Sequence, residues 1–390
     1  MKSDLLAILS CPNCGSQLQF AQREHRVEAF MNMVLAHLVK NWQRLSLEQF
    51  GVPNRLSYIM ATPRFRSSSH VVFMILVDEQ RDPVLAVKVP RIPGDNDSLY
   101  REAANLRLVQ SARPGGFDTI PRLIGCESYL GNRFLIETAM VGGPFHSRGN
   151  SRNMDSHIEM LTTWLIELHT ATKEISGSAE GWYERLVESP LQQFIKSMPP
   201  SKEEGGLVAQ TLGVADLLRD QEMPLVFEQR DLSLPNILVS QDGGVGVLDW
   251  ELAEPRGLPA VDLFFFLTLV AFARRRARSQ AEYLAAFREA FFGPSAWARP
   301  HVVRYARSLQ LPLDLCTPLF VLCWSRYVVD LVVRLHGFDS PGRLVGEETT
   351  GWLRSNRFYA LWCHSIKHLN ELRWAGDEFQ AAEKSDASYR

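Results

Sequence analysis

Three oxygen-bearing side chains stand at spacings that could do chemistry. Asp231 and Asn236 share the stretch Gln229-Arg230-Asp231-Leu232-Ser233-Leu234-Pro235-Asn236, and Asp249 follows in Val247-Leu248-Asp249-Trp250-Glu251. The chemistry they suit is phosphoryl transfer. Moving a γ-phosphoryl group asks little covalent work of a protein; it needs a carboxylate to orient the attacking hydroxyl and oxygen ligands to hold Mg²⁺ on the phosphates. Asp231 fits the first role. Asn236 and Asp249 fit the second, because magnesium is a hard cation that takes few ligands from protein when phosphate and water supply the rest. Taken singly, Asp and Asn are also common turn residues.

These side chains need elements to bring them together. Phe227 leads into the turn that carries Asp231, and Asn236 opens the apolar run Ile237-Leu238-Val239. Asp242-Gly243-Gly244 supplies a hairpin turn, and Val245 to Leu248 runs back toward Asp249. The hairpin predicts Asp249 beside Asn236. Upstream, Val71 to Val77 and Val84 to Val89 read as strands around the polar turn Asp78 to Pro83, and the second carries one lysine, Lys88. A lone charge in a buried strand wants a partner. Asp97-Ser98 can cap a helix with Leu99, Ala103, Leu106 and Val109 at helical intervals, and Glu102 in its first turns is the candidate.

Gln229-x-Asp231-x-x-x-x-Asn236 followed by Leu248-Asp249-Trp250-Glu251 resembles H-x-D-x-x-x-x-N followed by I-D-W/F-E, the signature of the aminoglycoside phosphotransferase and choline kinase-like branch of the protein kinase-like fold. The resemblance runs from about Arg64 to the C-terminal helices, with Leu248-Asp249-Trp250-Glu251-Leu252-Ala253 and Gly257-x-Pro259-x-x-Asp262-Leu263 in its tail. One departure is Gln229, where the family usually has His to brace the loop. The resemblance implies an α+β, two-lobed fold: a small lobe with an antiparallel sheet plus one helix, and a larger, mostly helical lobe. It implies ATP and Mg as cofactors, Asp231 as catalytic residue, and Lys88 paired with Glu102 and aimed at the α and β phosphates. Ser67 and Ser68, in the glycine-free stretch Arg64 to Ser69, stand where a phosphate-covering loop belongs. Glu137, Thr138 and Ala139, before Gly142-Gly143, resemble the strand and hinge whose backbone would meet adenine. Asp262 would be tied to the catalytic loop, and His169 would be structural.

Composition agrees with an ordinary globular chain: 390 residues, 46% hydrophobic and 22% charged, suffice for two lobes. A net charge of −2 gives no nucleic-acid signal. The basic run Arg274-Arg275-Arg276-x-Arg278 follows an apolar helix, Leu258 to Phe272, whose C-terminus it complements. That helix is too short to span a bilayer and Leu5 to Leu9 too short for a signal peptide, so no transmembrane segment and a cytoplasmic location are expected. Cys126, Cys316, Cys323 and Cys363 read as reduced core thiols.

Cys11 and Cys14, in Cys11-Pro12-Asn13-Cys14, form half of a zinc-ribbon knuckle. Zinc wants four ligands, which His25 and His37 would have to complete, so bound Zn is one reading and a metal-free turn the other. From about Arg26 to Leu45 an amphipathic helix could pack on the small lobe, dimerise or dock a protein partner. The expected organisation is a knuckle at 1–24, a helical extension at 25–60, a small lobe and hinge at 61–143, a mostly helical lobe at 144–374, and a polar tail at 375–390. Ala281 to Phe292, Pro318 to Leu335 and Thr349 to Arg373 read as helices, Pro199 to Gly206 as a surface loop. Trp164, Trp182, Trp324, Trp352 and Trp362 could line an acceptor site or fill the core. The expected function is transfer of a γ-phosphoryl group from ATP to a hydroxyl of a small molecule: a sugar, aminoglycoside, amino alcohol or related metabolite. The alternative is a catalytically silent nucleotide-binding scaffold that recruits a partner through its N-terminal region.

Overall fold

The computed structural model describes residues 32–61, 70–90, 96–129, 132–145, 154–176, 181–198, 201–240, 242–336 and 346–374. Expectations placed on Cys11, Cys14, His25, Ser67, Ser68 and the polar tail lie outside the described residues. The first group of elements is α1 (residues 32–40), β1 (Leu56–Ala61), β2 (His70–Val77), β3 (Leu85–Pro90), α2 (Asp97–Ser111), β4 (Leu123–Tyr129) and β5 (Asn132–Thr138). Its strands form one antiparallel sheet in the order β1-β2-β3-β5-β4.

Strand alternation gives this sheet two different faces. Phe73, Ile75, Val77, Leu85, Val87, Phe134 and Ile136 point outward and are covered by Val34, Leu38, Trp42 and Leu45. The N-terminal helix therefore packs on the small lobe. It also ends sooner than the apolar spacing suggested: residues 41–46 are turns, with Trp42 Nε1 donating to the Gly51 carbonyl at 2.7 Å. His37 faces Glu127 at 3.3 Å, and Arg44 reaches the same carboxylate at 2.9 Å. The inner face carries Leu135, on which Leu99 and Ala103 of α2 pack.

The second group begins with β6 (Gly143–Pro144), α3 (Met154–Thr172), β7 (Glu174–Ser176), α4 (Ser189–Ser197) and α5 (Lys202–Ala215). It continues with β8 (Met223–Glu228), β9 (Ile237–Val239), β10 (Val245–Val247), β11 (Glu254–Gly257), α6 (Val261–Arg275) and α7 (Gln280–Phe291). It closes with α8 (Arg299–Leu309), α9 (Cys316–His336), α10 (Glu347–Ser355) and α11 (Arg357–Lys367). Two small antiparallel sheets, β10-β9-β6 and β11-β8-β7, lie at its edge toward the first group. The α+β, two-lobed arrangement expected from the sequence is the one observed.

Several local expectations change. Ser201 caps α5 by accepting from the Glu203 amide at 3.1 Å, so helix begins inside the stretch read as a surface loop. The segment Thr349 to Arg373 breaks at Asn356, which caps α11. Trp164, Trp182, Trp324 and Trp362 are buried in the large-lobe core, whereas Trp352 is exposed. Arg274 pairs with Asp155 and Arg275 with Glu289, consistent with local roles for the basic run. Among the described residues one helical stretch, Leu313–Val333, is long and apolar enough to cross a membrane, but 72% of its apolar window is buried against the rest of the protein. The four described cysteines are free thiols, Cys316 and Cys323 buried.

Leu38, fully buried beneath the sheet, tests the packing of the extension. Leu38→Ala is expected to cost about 2–5 kcal/mol, from lost burial plus the cavity it leaves. Denaturation of the purified variant checks this; a loss below about 0.5 kcal/mol, the scale of surface substitutions, would mean the helix is not seated there.

Candidate active site

The site is assembled from the ends of β3, β5 and β8, from α2, and from the β9–β10 hairpin. Leu248 donates its amide to the Asn236 carbonyl at 2.9 Å, extending the hairpin by one residue, so that Leu248 stands opposite Asn236 and Asp249 follows directly after it. Asn236 Nδ2 in turn donates to the carboxylate Oδ2 and the carbonyl of Asp231, both at 3.0 Å. With its amide nitrogen spent on Asp231, the other end of Asn236 is an oxygen, the donor type that a hard cation takes. The expected trio is thus brought together. Among the described residues, no cluster of three or more His, Cys, Asp or Glu has metal-holding geometry. Asp249 and Asn236 each offer an oxygen, the donor type that magnesium takes when phosphate and water supply its other ligands.

Gln229 is the brace. Its Nε2 donates to the carbonyls of Leu248 and Asp249 at 3.0 and 2.8 Å, and its Oε1 accepts from the Asp231 amide at 2.8 Å. One side chain thereby joins the loop bearing Asp231 to the turn bearing Asp249. Below it, Asp262 at the start of α6 accepts from the amides of Gln229 and Arg230 at 2.6 and 2.9 Å. His169 is fully buried, bonded to Tyr305 at 2.6 Å and 3.7 Å from Asp262, in the structural role expected of it.

Arg230 and Asp249 have φ of 68° and 58°, a left-handed conformation rare for side-chain-bearing residues. Such backbone costs of order 1–3 kcal/mol at each position and persists where surroundings over-determine it. Here the constraint comes from hydrogen bonds on both sides: Asp262 at the Arg230 amide, Gln229 at the Asp249 carbonyl. The Arg230 guanidinium also pairs with Asp330 of α9.

Lys88 meets three carboxylates. Its Nζ lies 2.5 Å from Glu102, 2.7 Å from Asp249 and 3.4 Å from Glu137, and Lys88, Glu102 and Glu137 are 3%, 1% and 2% exposed. Burial alone would lower the ammonium pKa, yet the carboxylates, Asp249 foremost, hold it well above the usual lysine value. Lys88 in turn holds Asp249 below the usual carboxylate range. The Lys88–Glu102 pair expected from the sequence is present. Ser98, expected to cap α2, instead bonds His70 at 2.7 Å, and α2 starts without a side-chain cap.

Four contributions escaped the sequence reading. Glu137 was placed there for its backbone, but its side chain joins the lysine; the amides of Thr138 and Ala139 are committed to the carbonyls of Arg122 and Val84 at 2.9 and 3.0 Å. The signal was the one used for Lys88, a lone charge in an apolar strand. Asn105, one helical turn after Glu102, donates to the carbonyls of Trp250 and Ala253 at 2.8 and 3.1 Å, while Glu102 accepts from the Trp250 amide at 3.1 Å. Together they clasp the turn after Asp249. His70 and Glu251 approach to 3.5 Å beside this cluster. Burial, then Lys88, lowers His70 to about 4, and burial with Glu102 pushes Glu251 up to about 7, so at neutral pH the imidazole is uncharged.

The sequence model of the phosphotransferase enzyme family matches residues 64–301. Similar solved structures include an aminoglycoside phosphotransferase from Streptomyces rimosus, 15% identical over 74% of this chain and 98% of its own, with a TM-score of 0.42. A choline/ethanolamine kinase family protein from Mesorhizobium loti is 13% identical over 84% of this chain and 98% of its own, TM-score 0.44. A choline kinase from Streptococcus pneumoniae is 12% identical over 84% and 99%, TM-score 0.45. No curated protein matches the chain.

Burial, opposed in part by Lys88, pushes the Glu137 carboxyl up to about 8. Its folded value lies above its unfolded one, so its contribution to stability is fully present below the unfolded pKa and is lost as pH rises through about 8. Glu137→Gln keeps the shape and removes the ionisation. The variant's melting temperature, relative to the native chain, should therefore rise by a few degrees more at about pH 9 than at about pH 5. Equal differences at both pH values would contradict the assignment.

Proposed function

We propose that this chain, which belongs to the phosphotransferase enzyme family, transfers the γ-phosphoryl group of ATP to a hydroxyl of a small molecule with the help of Mg²⁺. The observation that carries the reading is the hydrogen-bonded link Asn236–Asp231–Gln229–Asp249, which puts one candidate base and two candidate metal oxygens on a single braced frame. Bound magnesium would supply charge neutralisation on the phosphates, and Asp249 and Asn236 are the residues that would hold it.

The roles divide by chemistry. Asp231 accepts a hydrogen bond from the acceptor hydroxyl and orients it for in-line attack. Lys88, aimed by Glu102, meets the α and β phosphates. Asp249, now bonded to Lys88 with its side chain half-exposed, is the carboxylate that would hold the metal once nucleotide is bound. For adenine, the backbone carbonyls of the Thr138–Ala139 stretch are the groups on offer, since its amides are already bonded within the protein. The acceptor belongs to the sugars, aminoglycosides, amino alcohols and related hydroxyl compounds.

Radiolabelled phosphate transfer to a panel of such metabolites is the direct test. Asp231→Asn should lower turnover by about 10²–10⁴-fold, the usual contribution of a positioned base, and leave Mg²⁺-dependent nucleotide binding intact. Asp249→Asn should abolish that binding. Equal loss of binding in both variants would overturn the division of roles, and nucleotide binding without turnover on any acceptor would favour a silent scaffold.

A further inference from the structure

The charge around Lys88 is out of balance. Lys88 pairs with Leu135 and Ala86 with Glu137 across β3 and β5, so the ammonium and the Glu137 carboxylate share the inner sheet face, turned toward Asp249. One cation thus meets the carboxylates of Glu102, Asp249 and Glu137. Glu102 suffices to aim the lysine, and Asp249 has a metal to serve. Glu137 is surplus to both tasks. Its Oε2, like that of Glu102, is buried without a hydrogen-bond partner among the described residues. An unmatched buried carboxylate is costly to keep.

We propose that Glu137 acts as a charge gate, a specificity-determining residue that makes the cleft refuse a polyphosphate not carrying its divalent cation. The inference rests on the nucleotide reading above. Once Glu137 ionises, above about pH 8, a metal-free diphosphate would add anionic charge to a buried cluster with more carboxylate charges than cations, in surroundings where charges interact strongly. A metal-bound one brings its own compensation and draws Asp249 off the lysine. Glu137 therefore penalises the first far more than the second. A purely structural acid at this position would leave the two equally affected.

Calorimetric titration of ADP, with Mg²⁺ or with a chelator, tests the gate on the native chain, Glu137→Gln and Glu137→Leu. At about pH 9, where the carboxyl is ionised, both variants should bind metal-free ADP about tenfold more tightly, equivalent to about 1.4 kcal/mol. Binding of ADP with Mg²⁺ should change by less than about threefold. A gain of affinity cannot arise from misfolding. Metal-free affinity that is unchanged or weaker in both variants would overturn the gate and leave the nucleotide reading standing. Failure of the native chain to bind ADP with or without Mg²⁺ would sink that reading, and the gate with it.

Discussion

A buried ammonium with carboxylate partners from three separate parts of the chain is the constraint on which the rest depends. Taking a charge out of water costs several kcal/mol, repaid only by close partners with good geometry. Lys88 finds them on α2, on β5 and on the turn after β10. The pairing is thus also a joint. Asp249 of the large lobe reaches the same ammonium as the small-lobe carboxylates, and α2 adds the Glu102 and Asn105 bonds that fix the Trp250 backbone. Asp249, with its left-handed backbone, is held by the same contacts that seat one lobe on the other.

A second anchor lies beneath the loop that bears Asp231. Asp262 reaches up from the first turn of α6 to two successive backbone amides, while Tyr305 links His169 to the Ala260 amide just before that helix. Close by, Glu228 is locked between Arg326 and the Leu258 amide, and a Cβ at Gly257 would lie 2.4 Å from Glu228. Glycine is required there by contact, not by backbone conformation. The loop is therefore held from below.

Much of this was legible in the sequence because local signals and tertiary demands agreed. The hairpin from Ile237 to Val247, the lysine-bearing strand and the Asp231–Asn236–Asp249 trio all follow from alternation, turn residues and oxygen chemistry. What escaped depended on distant partners. Ser98 has the form of a helix cap, but a buried imidazole competes for its hydroxyl. Pro199 to Gly206 has loop composition, yet α5 starts within it because Ser201 caps the helix and Glu204 meets Arg354 from α10. Asn105 carries no local sign of its role: its significance lies in two carbonyls more than a hundred residues away in sequence.

Gln229 has one more consequence. A neutral imidazole offers one donor and one acceptor, whereas the carboxamide here uses two N–H groups and its oxygen at once. It also carries no proton to gain in mild acid. Acidification through the range in which histidine titrates leaves this crosspiece chemically unaltered, so the framework between the two loops is indifferent to it.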